Sequence, residues 1–432
     1  MPHPTSKNRR RLAVGLLVLA SAGGLVACSP GDGTDGSASV EITMTIWGGD
    51  TDKSTMEQRL ALAKEKYPDI TVKLNLIAED YDTKVQTMFA GGTAPDIMET
   101  AEGVNVYSSK GQLEDLTPYF QAEGVDPVES FGQGSVNTYS TDGKLWAAPD
   151  RSGAAVVYYN KDLFDQAGVS YPTADWDWQT FRDAARRLTV KDGDTTTVWG
   201  YAAGDWWPWY MSWIYQNGGR ILDDSGQPVA NSAENIEALT FYNDMVFTDH
   251  SAPSPLDYAD AGLDNGSPDP LFAQGKLAME VTGFWNIASL KDSGLNWDIA
   301  PMWHGQDKAV PAFSNALAVA SSSKNKEAAA KIVTFLTSAA GQKPIAETGL
   351  DVPANLQAVA DPSFQNPAWN TAGVDLSAFT SSAADVYAPP FVPEWNKIQS
   401  AFTDGLADTW TDQQSVKDGL DKVQATLEDI FG

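Results

Sequence analysis

Residues 40–98 read VEITMTIWGGDTDKSTMEQRLALAKEKYPDITVKLNLIAEDYDTKVQTMFAGGTAPDIM, and this stretch sets the architecture. Val40–Trp47 alternates and is rich in β-branched residues, the pattern of a strand. Ser54-x-x-Glu57 fits a capping box, after which Met56, Leu60 and Ala63 share one helical face. Ile70–Ile77 repeats the strand pattern; Tyr81, Val85, Met88 and Phe89 form a second helical face that Gly91-Gly92 ends. Ile97-Met98 is a short third strand. A strand–helix–strand–helix–strand rhythm predicts a mainly parallel sheet with helices on both faces.

Downstream, Thr117-Pro118 marks a helix start with proline in the first turn. The rhythm then restarts. Strands are expected at Ala154–Tyr159, Val198–Ala203, Leu277–Val281, Trp297–Met302 and Ala316–Ala320. Helices are expected at Lys161–Ala167, Trp178–Leu188, from Asp269-Pro270 to Gly275, at Glu327–Ala340, and after Ser415-x-x-Asp418 along Val416, Leu420, Val423 and Leu427. No internal repeat and no second apolar span is present. Two βα systems in one chain of 432 residues predict two α/β lobes.

Upstream, Lys7, Arg9, Arg10 and Arg11 precede an apolar run from Leu12 to Ala20, and small residues lead to Leu25-Val26-Ala27-Cys28. This is the order of a signal peptide, residues 1–27, and the run is too short for a spanning helix, which needs about 20 apolar residues. Arg9-Arg10 leaves general and twin-arginine export both open. Leu-Val-Ala-Cys resembles the lipobox of bacterial lipoproteins, which implies cleavage before Cys28 and lipidation of its thiol. Residues 28–39 are polar and Gly/Ser-rich and read as a flexible tether. The expected location is extracytoplasmic, anchored to the cell membrane at Cys28.

Cys28 is the only cysteine, so the body of the chain has no disulfide, thiolate metal site or cysteine nucleophile. A hydrophobic fraction of 42% supports a sizeable core. The formal charge is −28, and loss of the four signal-peptide cations makes it −32, which argues against nucleic acid and against docking on anionic lipid. The acidity serves as a solubilising surface, or as patches that meet a basic partner. The histidines, His3, His250 and His304, form no paired metal spacing, and no GxGxxG, GxxxxGK[ST] or GxSxG motif occurs. No cofactor, no metal and no catalytic residue is therefore expected. The 57 acidic residues are too many for spacing alone to identify or dismiss a glycoside-hydrolysing carboxylate pair.

Fifteen tryptophans remain to be explained, several of them at element ends. Trp47 closes the first strand before Asp50, Trp206, Trp207 and Trp209 surround Pro208, and Trp285 follows Gly283-Phe284. Flat indoles suit the C–H faces of sugars, while carboxylates, amides and guanidinium suit hydroxyls. Ligands in open α/β sheets sit at the carboxyl ends of strands. Each residue also has a structural reading: Trp47 as strand core, Asp50 as a helix-start acid, and Trp206, Trp209 and Trp213 as one helical core face. Trp176 and Trp178 read as core packing around the Asp177 cap.

The chain resembles the family 1 extracellular solute-binding proteins, the maltose-binding-protein-like group, from about Val40 to the C-terminus. The similar segments, in order, are Gly91-Gly92-Thr93-Ala94-Pro95-Asp96-Ile97, Leu145–Pro149 with Val157–Phe164, the run Phe272–Met279 with Gly283-Phe284-Trp285, and Ser323–Glu327 leading to Gly349-Leu350-Asp351-Val352-Pro353. The resemblance implies a two-lobed, type II periplasmic-binding-protein-like α/β fold, each lobe a mainly parallel sheet flanked by helices. It implies three interlobe crossings, near Arg151–Ala154, Phe313–Ala316 and Ala358–Pro362. The expected N-terminal lobe is 40–152 plus 316–360, and the C-terminal lobe 153–315 plus 361–432. The candidate ligand contacts are Trp47, Asp50, Glu99, Glu102, Arg151, Asp205, Trp206, Trp207, Trp209, Trp285, Asp351, Glu394 and Trp395. Thr100 stands where the maltose type carries an aromatic residue, which argues against maltose itself. Arg151 either meets an anionic or ring-oxygen group of the ligand or pairs with acids beside Asp150. The implied function is capture of a carbohydrate by hinge closure and its delivery to the permease of an ABC importer, by a monomer that is not an enzyme. The alternatives are a non-sugar or phosphorylated polyol ligand, an amino-bearing solute, or a secreted carbohydrate-active enzyme.

Overall fold

The computed structural model describes residues 39–432 except 102, 203, 264–266, 292, 372, 383–384, 388–389 and 391. The segments read as signal peptide and tether, Cys28 included, lie outside the described residues apart from Ser39. The strands are β1 (Val40–Trp47), β2 (Ile70–Ile77), β3 (Ile97–Thr100), β4 (Ser140–Thr141), β5 (Lys144–Leu145), β6 (Ala148–Ala154), β7 (Val156–Asn160), β8 (Val190–Asp192), β9 (Thr195–Val198), β10 (Met279–Thr282), β11 (Trp297–Ala300), β12 (Val310–Val319) and β13 (Val386–Tyr387).

The first lobe is built on a six-stranded sheet in which β1 lies between β2 and β3, with β12 next to β3, and β6 and the short β13 both paired with β12. β1 pairs parallel with β2 from Val40↔Ile70 to Trp47↔Ile77, and parallel with β3. β12 runs antiparallel to both β3 and β6. Ile42, Met44 and Ile46 of the central β1 are buried under helices, while edge strand β2 buries only Ile70. Each such side chain contributes about 1.5–3 kcal/mol by leaving water.

The first helix runs Asp50–Lys66, starting before the capping box expected at Ser54. The Asp52 carboxylate accepts from the Gly49 N–H at 2.9 Å, and Asp50 and Asp52 both lie in the first turn, where the helix dipole favours acids. Its buried face contains Arg59. That guanidinium donates to the Asp150 carboxylate and to the carbonyls of Gly341 and Leu336, at 2.8 Å each, tying the helix to β6 and to the Ala339–Thr348 segment.

The second lobe departs from the expected mainly parallel sheet. Its β10-β7-β11 sheet has β7 in the centre, antiparallel to both neighbours. The reason lies in the connection. β7 follows β6 with only Ala155 between them, so it enters the sheet from the crossing rather than from a helix. A strand–helix rhythm says nothing about which end of a sheet a strand enters. Two further expectations shift locally. Thr195–Val198 closes a hairpin with β8, and only Trp199 continues, bridging Leu277. The helix expected at Glu327–Ala340 is two, Lys326–Leu336 and Ala339–Thr348, with Ser338 capping the second.

β6 and β12 join the lobes. Ala148 and Ala316 belong to the core under the first sheet, whereas Ala154 and Val310 belong to the core of the second lobe. The two strands pair from Leu317↔Ala148 to Ala312↔Ala154, with a register shift between Asn315 and Ala316. A further cluster around Tyr158, Phe272 and Phe284 packs the far side of the second lobe's sheet against Leu376 and Phe379.

Candidate ligand-binding site

Asp205, Trp206, Trp209, Ser267, Asp269, Thr282 and Trp285 line a cleft of about 310 Å³ on the second lobe. Its aromatic wall begins at the turn before the Trp207–Gln216 helix. The Tyr242 hydroxyl donates to the Gly204 carbonyl at 2.8 Å and accepts from the Gly204 N–H at 2.6 Å, pinning that turn. Pro208 sits in the first helical turn, where its missing N–H costs nothing. Trp206 is the residue just before the helix, and so keeps 44% of its surface exposed, whereas Trp207 and Trp209 turn inward. The Trp206 ring stacks on Phe313 at 5.5 Å and 17° and meets Trp209 edge-on at 5.1 Å.

Trp285 completes the wall, edge-on to the same Phe313 at 4.6 Å. The Gly283-Phe284-Trp285 run now has a steric explanation. A β-carbon at Gly283 would stand 2.0 Å from Trp285 Cζ3, so only glycine lets the indole lie across the backbone. Gly204 does the same for Trp209, whose Cδ1 would be 2.8 Å from an added β-carbon. Phe313, the hub of the cluster, was placed by sequence only at a crossing. Its signal was an aromatic residue within the small and polar stretch from Ala312 to Ala316.

Sequence reasoning also missed the polar floor, Asp269, Glu280 and Thr282. Glu280 and Thr282 are two apart on β10 and therefore share a face. Both are fully buried, and Glu280 Oε2, Thr282 Oγ1 and Asp269 Oδ1 have no hydrogen-bond partner. Asn286 donates to the other oxygen of Glu280. Burial pushes the Asp269 carboxyl up to about 6, with Trp285, Thr282 and Glu280 holding it back. Burial also raises Glu280 above its ordinary value, and the neighbouring Asp269 charge adds to this.

The first-lobe candidates gather elsewhere. Arg151 is buried and donates to Asp52 at 2.9 Å and to Glu99. Glu99 also accepts from Asn315 and from the Trp47 N–H, both at 3.1 Å. Burial raises Glu99 above the usual carboxylate range although Arg151 opposes it. Burial alone would lower Arg151, but Glu99, Asp351, Asp52 and Asp150 hold it above its ordinary value. Burial pushes Asp351 up to about 7 against the pull of Arg151. Of the two readings of Arg151, the structure shows pairing with protein acids. Trp47 is half-buried, edge-on to Tyr81 at 5.1 Å, and Asp50 is exposed at its helix start.

Trp395 is 1% exposed and packs edge-on against the buried Trp207, so both belong to core rather than to the cleft wall. Glu394 is half-buried at the start of the Trp395–Leu406 helix. The cleft thus unites Asp205, Trp206, Trp209 and Trp285 and none of the other described candidates. Glu102 and Cys28 lie outside the described residues. Among the described residues no group of three His, Cys, Asp or Glu side chains could hold a metal ion, and no helix is long and apolar enough to cross a membrane.

Residues 48–343 match the model of the bacterial extracellular solute-binding protein family. An ABC substrate-binding protein from Listeria monocytogenes, solved in complex with cycloalternan, is 30% identical; the match covers 91% of this chain and 99% of that one with a TM-score of 0.83. A galactooligosaccharide-binding protein of Bacillus subtilis is 22% identical over 98% of this chain and 97% of its own length. A maltooligosaccharide ABC transporter solute-binding lipoprotein of Streptococcus pneumoniae is 24% identical over 96% of this chain and 95% of its own.

Proposed function

Because this chain belongs to the bacterial extracellular solute-binding protein family, we propose that it captures a mono- or oligosaccharide and delivers it to an ABC importer. The observation that carries this reading is the exposed Trp206 ring, held by Phe313 beside Trp209 and Trp285 and facing the acids of the same cleft. An indole face for apolar C–H surface beside carboxylates for hydroxyls is the pairing a sugar requires. The named ligands of the Listeria, Bacillus and Streptococcus relatives are all saccharides or saccharide classes, which supports the same choice. Arg151 spends its guanidinium on Asp52 and Glu99, so the phosphorylated-solute alternative lacks a free cation in this network.

In the mechanism, β6 and β12 act as the flexible joint. A saccharide that touches both lobes binds the closed arrangement more tightly than the open one, and shifts the population toward closed by no more than that difference. The closed form presents both lobes to the permease. The protein acts as a monomer, performs no chemistry on its ligand, and is held to the membrane by acyl chains on Cys28. The test is tryptophan fluorescence and thermal melting against a saccharide panel, with mass spectrometry of the ligand after release. A saturable signal with the ligand recovered intact is expected. No response to any carbohydrate refutes the reading, and a cleaved ligand refutes the absence of catalysis.

A further inference from the structure

Three buried carboxylates elsewhere among the described residues are matched by guanidinium groups. Glu99 is paired with Arg151, Asp150 with Arg59, and Asp249 with both Arg182 and Arg186. The cleft acids lack such a partner. Among the described residues no Lys or Arg forms an ion pair with Asp205, Asp269 or Glu280. An unmatched buried charge is costly, and its cost falls when an opposite charge arrives.

Two independent features point to what arrives. Thr282 is fully buried, lines the cleft, and has an unpartnered hydroxyl oxygen there. The indoles of Trp206, Trp209 and Trp285 share the same wall, and an indole face attracts a cation. A bare metal ion does not suit the place, since no three acids or histidines among the described residues converge as ligands. A cation carried on a sugar-sized body satisfies the rings, the acids and the hydroxyl together.

We propose that this wall of the cleft receives a positively charged nitrogen, so that the ligand is a basic saccharide such as an amino sugar or an oligosaccharide containing one. The ammonium sits against Asp269 and Asp205, accepted in part by Thr282 Oγ1 and flanked by the rings, with Glu280 backing Asp269 from inside the fold. The inference rests on the carbohydrate reading above and narrows its substrate class.

The test is calorimetric titration of the full chain at neutral pH with sets of saccharides that differ only in one substituent. These are cellotriose, tri-N-acetylchitotriose and the glucosamine trimer, then glucose, N-acetylglucosamine and glucosamine, and the galactose equivalents, with a panel of neutral α- and β-linked oligosaccharides beside them. The expected result is that the amine is the tightest member of each set that binds, by about tenfold or more, the size of one matched charge at a half-buried site. Asp269→Asn lowers that amine-to-neutral ratio about tenfold; Asp205→Asn, at the exposed rim, lowers it less and serves if the first variant does not fold. Neutral members binding as tightly as amines overturns the inference and leaves the carbohydrate reading standing. No binding by any saccharide overturns both.

Discussion

Removing the Trp206 side chain separates ligand contact from stability more cleanly than any other single change. Of a tryptophan's roughly 250 Å², the exposed 44% amounts to about 110 Å² available to a ligand face. At about 25 cal/mol per Å², covering all of it is worth about 2.7 kcal/mol, an upper bound. Partial coverage by one sugar ring brings this to about 2 kcal/mol, or about thirtyfold in Kd. The folded state loses only the contacts with Phe313 and Trp209, so Trp206→Ala destabilises by about 1 kcal/mol. The buried Trp395 reverses the pattern: Trp395→Ala empties a fully enclosed site and costs about 3–5 kcal/mol of stability. The assay is calorimetric titration of each folded variant with the tightest saccharide of the panel, together with denaturant unfolding. If Trp206→Ala binds as the unaltered chain does, the exposed ring does not meet the ligand and the stacking argument fails.

Arg59→Met leaves Asp150 and the carbonyls of Gly341 and Leu336 without their donor, and is expected to cost about 4 kcal/mol in denaturant melts; Arg59→Met with Asp150→Leu recovers much of it. Recovery that fails to appear would mean that the pair is not an isolated buried ion pair. The Asp351 carboxyl, facing Arg151, Asp52 and Asp150, lies near 7 in the folded chain and near its ordinary value of about 3.9 when unfolded. Folding therefore favours its protonated form, and its contribution to stability is lost as pH rises from about 4 through about 7. Asp351→Asn removes that loss, so its stability advantage over the unaltered chain grows between pH about 5 and about 8, by an amount on the order of 2 kcal/mol; an advantage independent of pH counts against the assignment. Cys28→Ser is expected to move the exported protein from the detergent phase to the aqueous phase on partitioning, and continued partition into detergent would dismiss the lipid anchor.

Local periodicity was enough for β1, the helix that follows it and β2, because alternation and helical faces are carried by residues near one another in the chain. It was enough for the caps at Asp177 and Ser415, whose side chains accept from backbone N–H groups three residues on. The start of the first helix was misread because Asp52, reaching back to Gly49, competes with the better-known pattern at Ser54. The aromatic half of the cleft was legible as composition and position, in Trp206, Trp209 and Trp285. Trp395 had the same signals and proved to be core.

By itself, the sequence determined the strand–helix units, the α/β class, and the ordered segments that mark the solute-binding family. Only the tertiary structure decided the antiparallel entry of β7, the consumption of Arg151 by Asp52 and Glu99, the role of Phe313, and the lack of an ion-pair partner for Asp269 and Glu280 in the cleft. The physical reason is that exposure and charge compensation belong to neighbours in space. Arg59 meets Asp150, 91 residues on, and Trp206 meets Phe313 on another strand entirely, and no local pattern records either meeting.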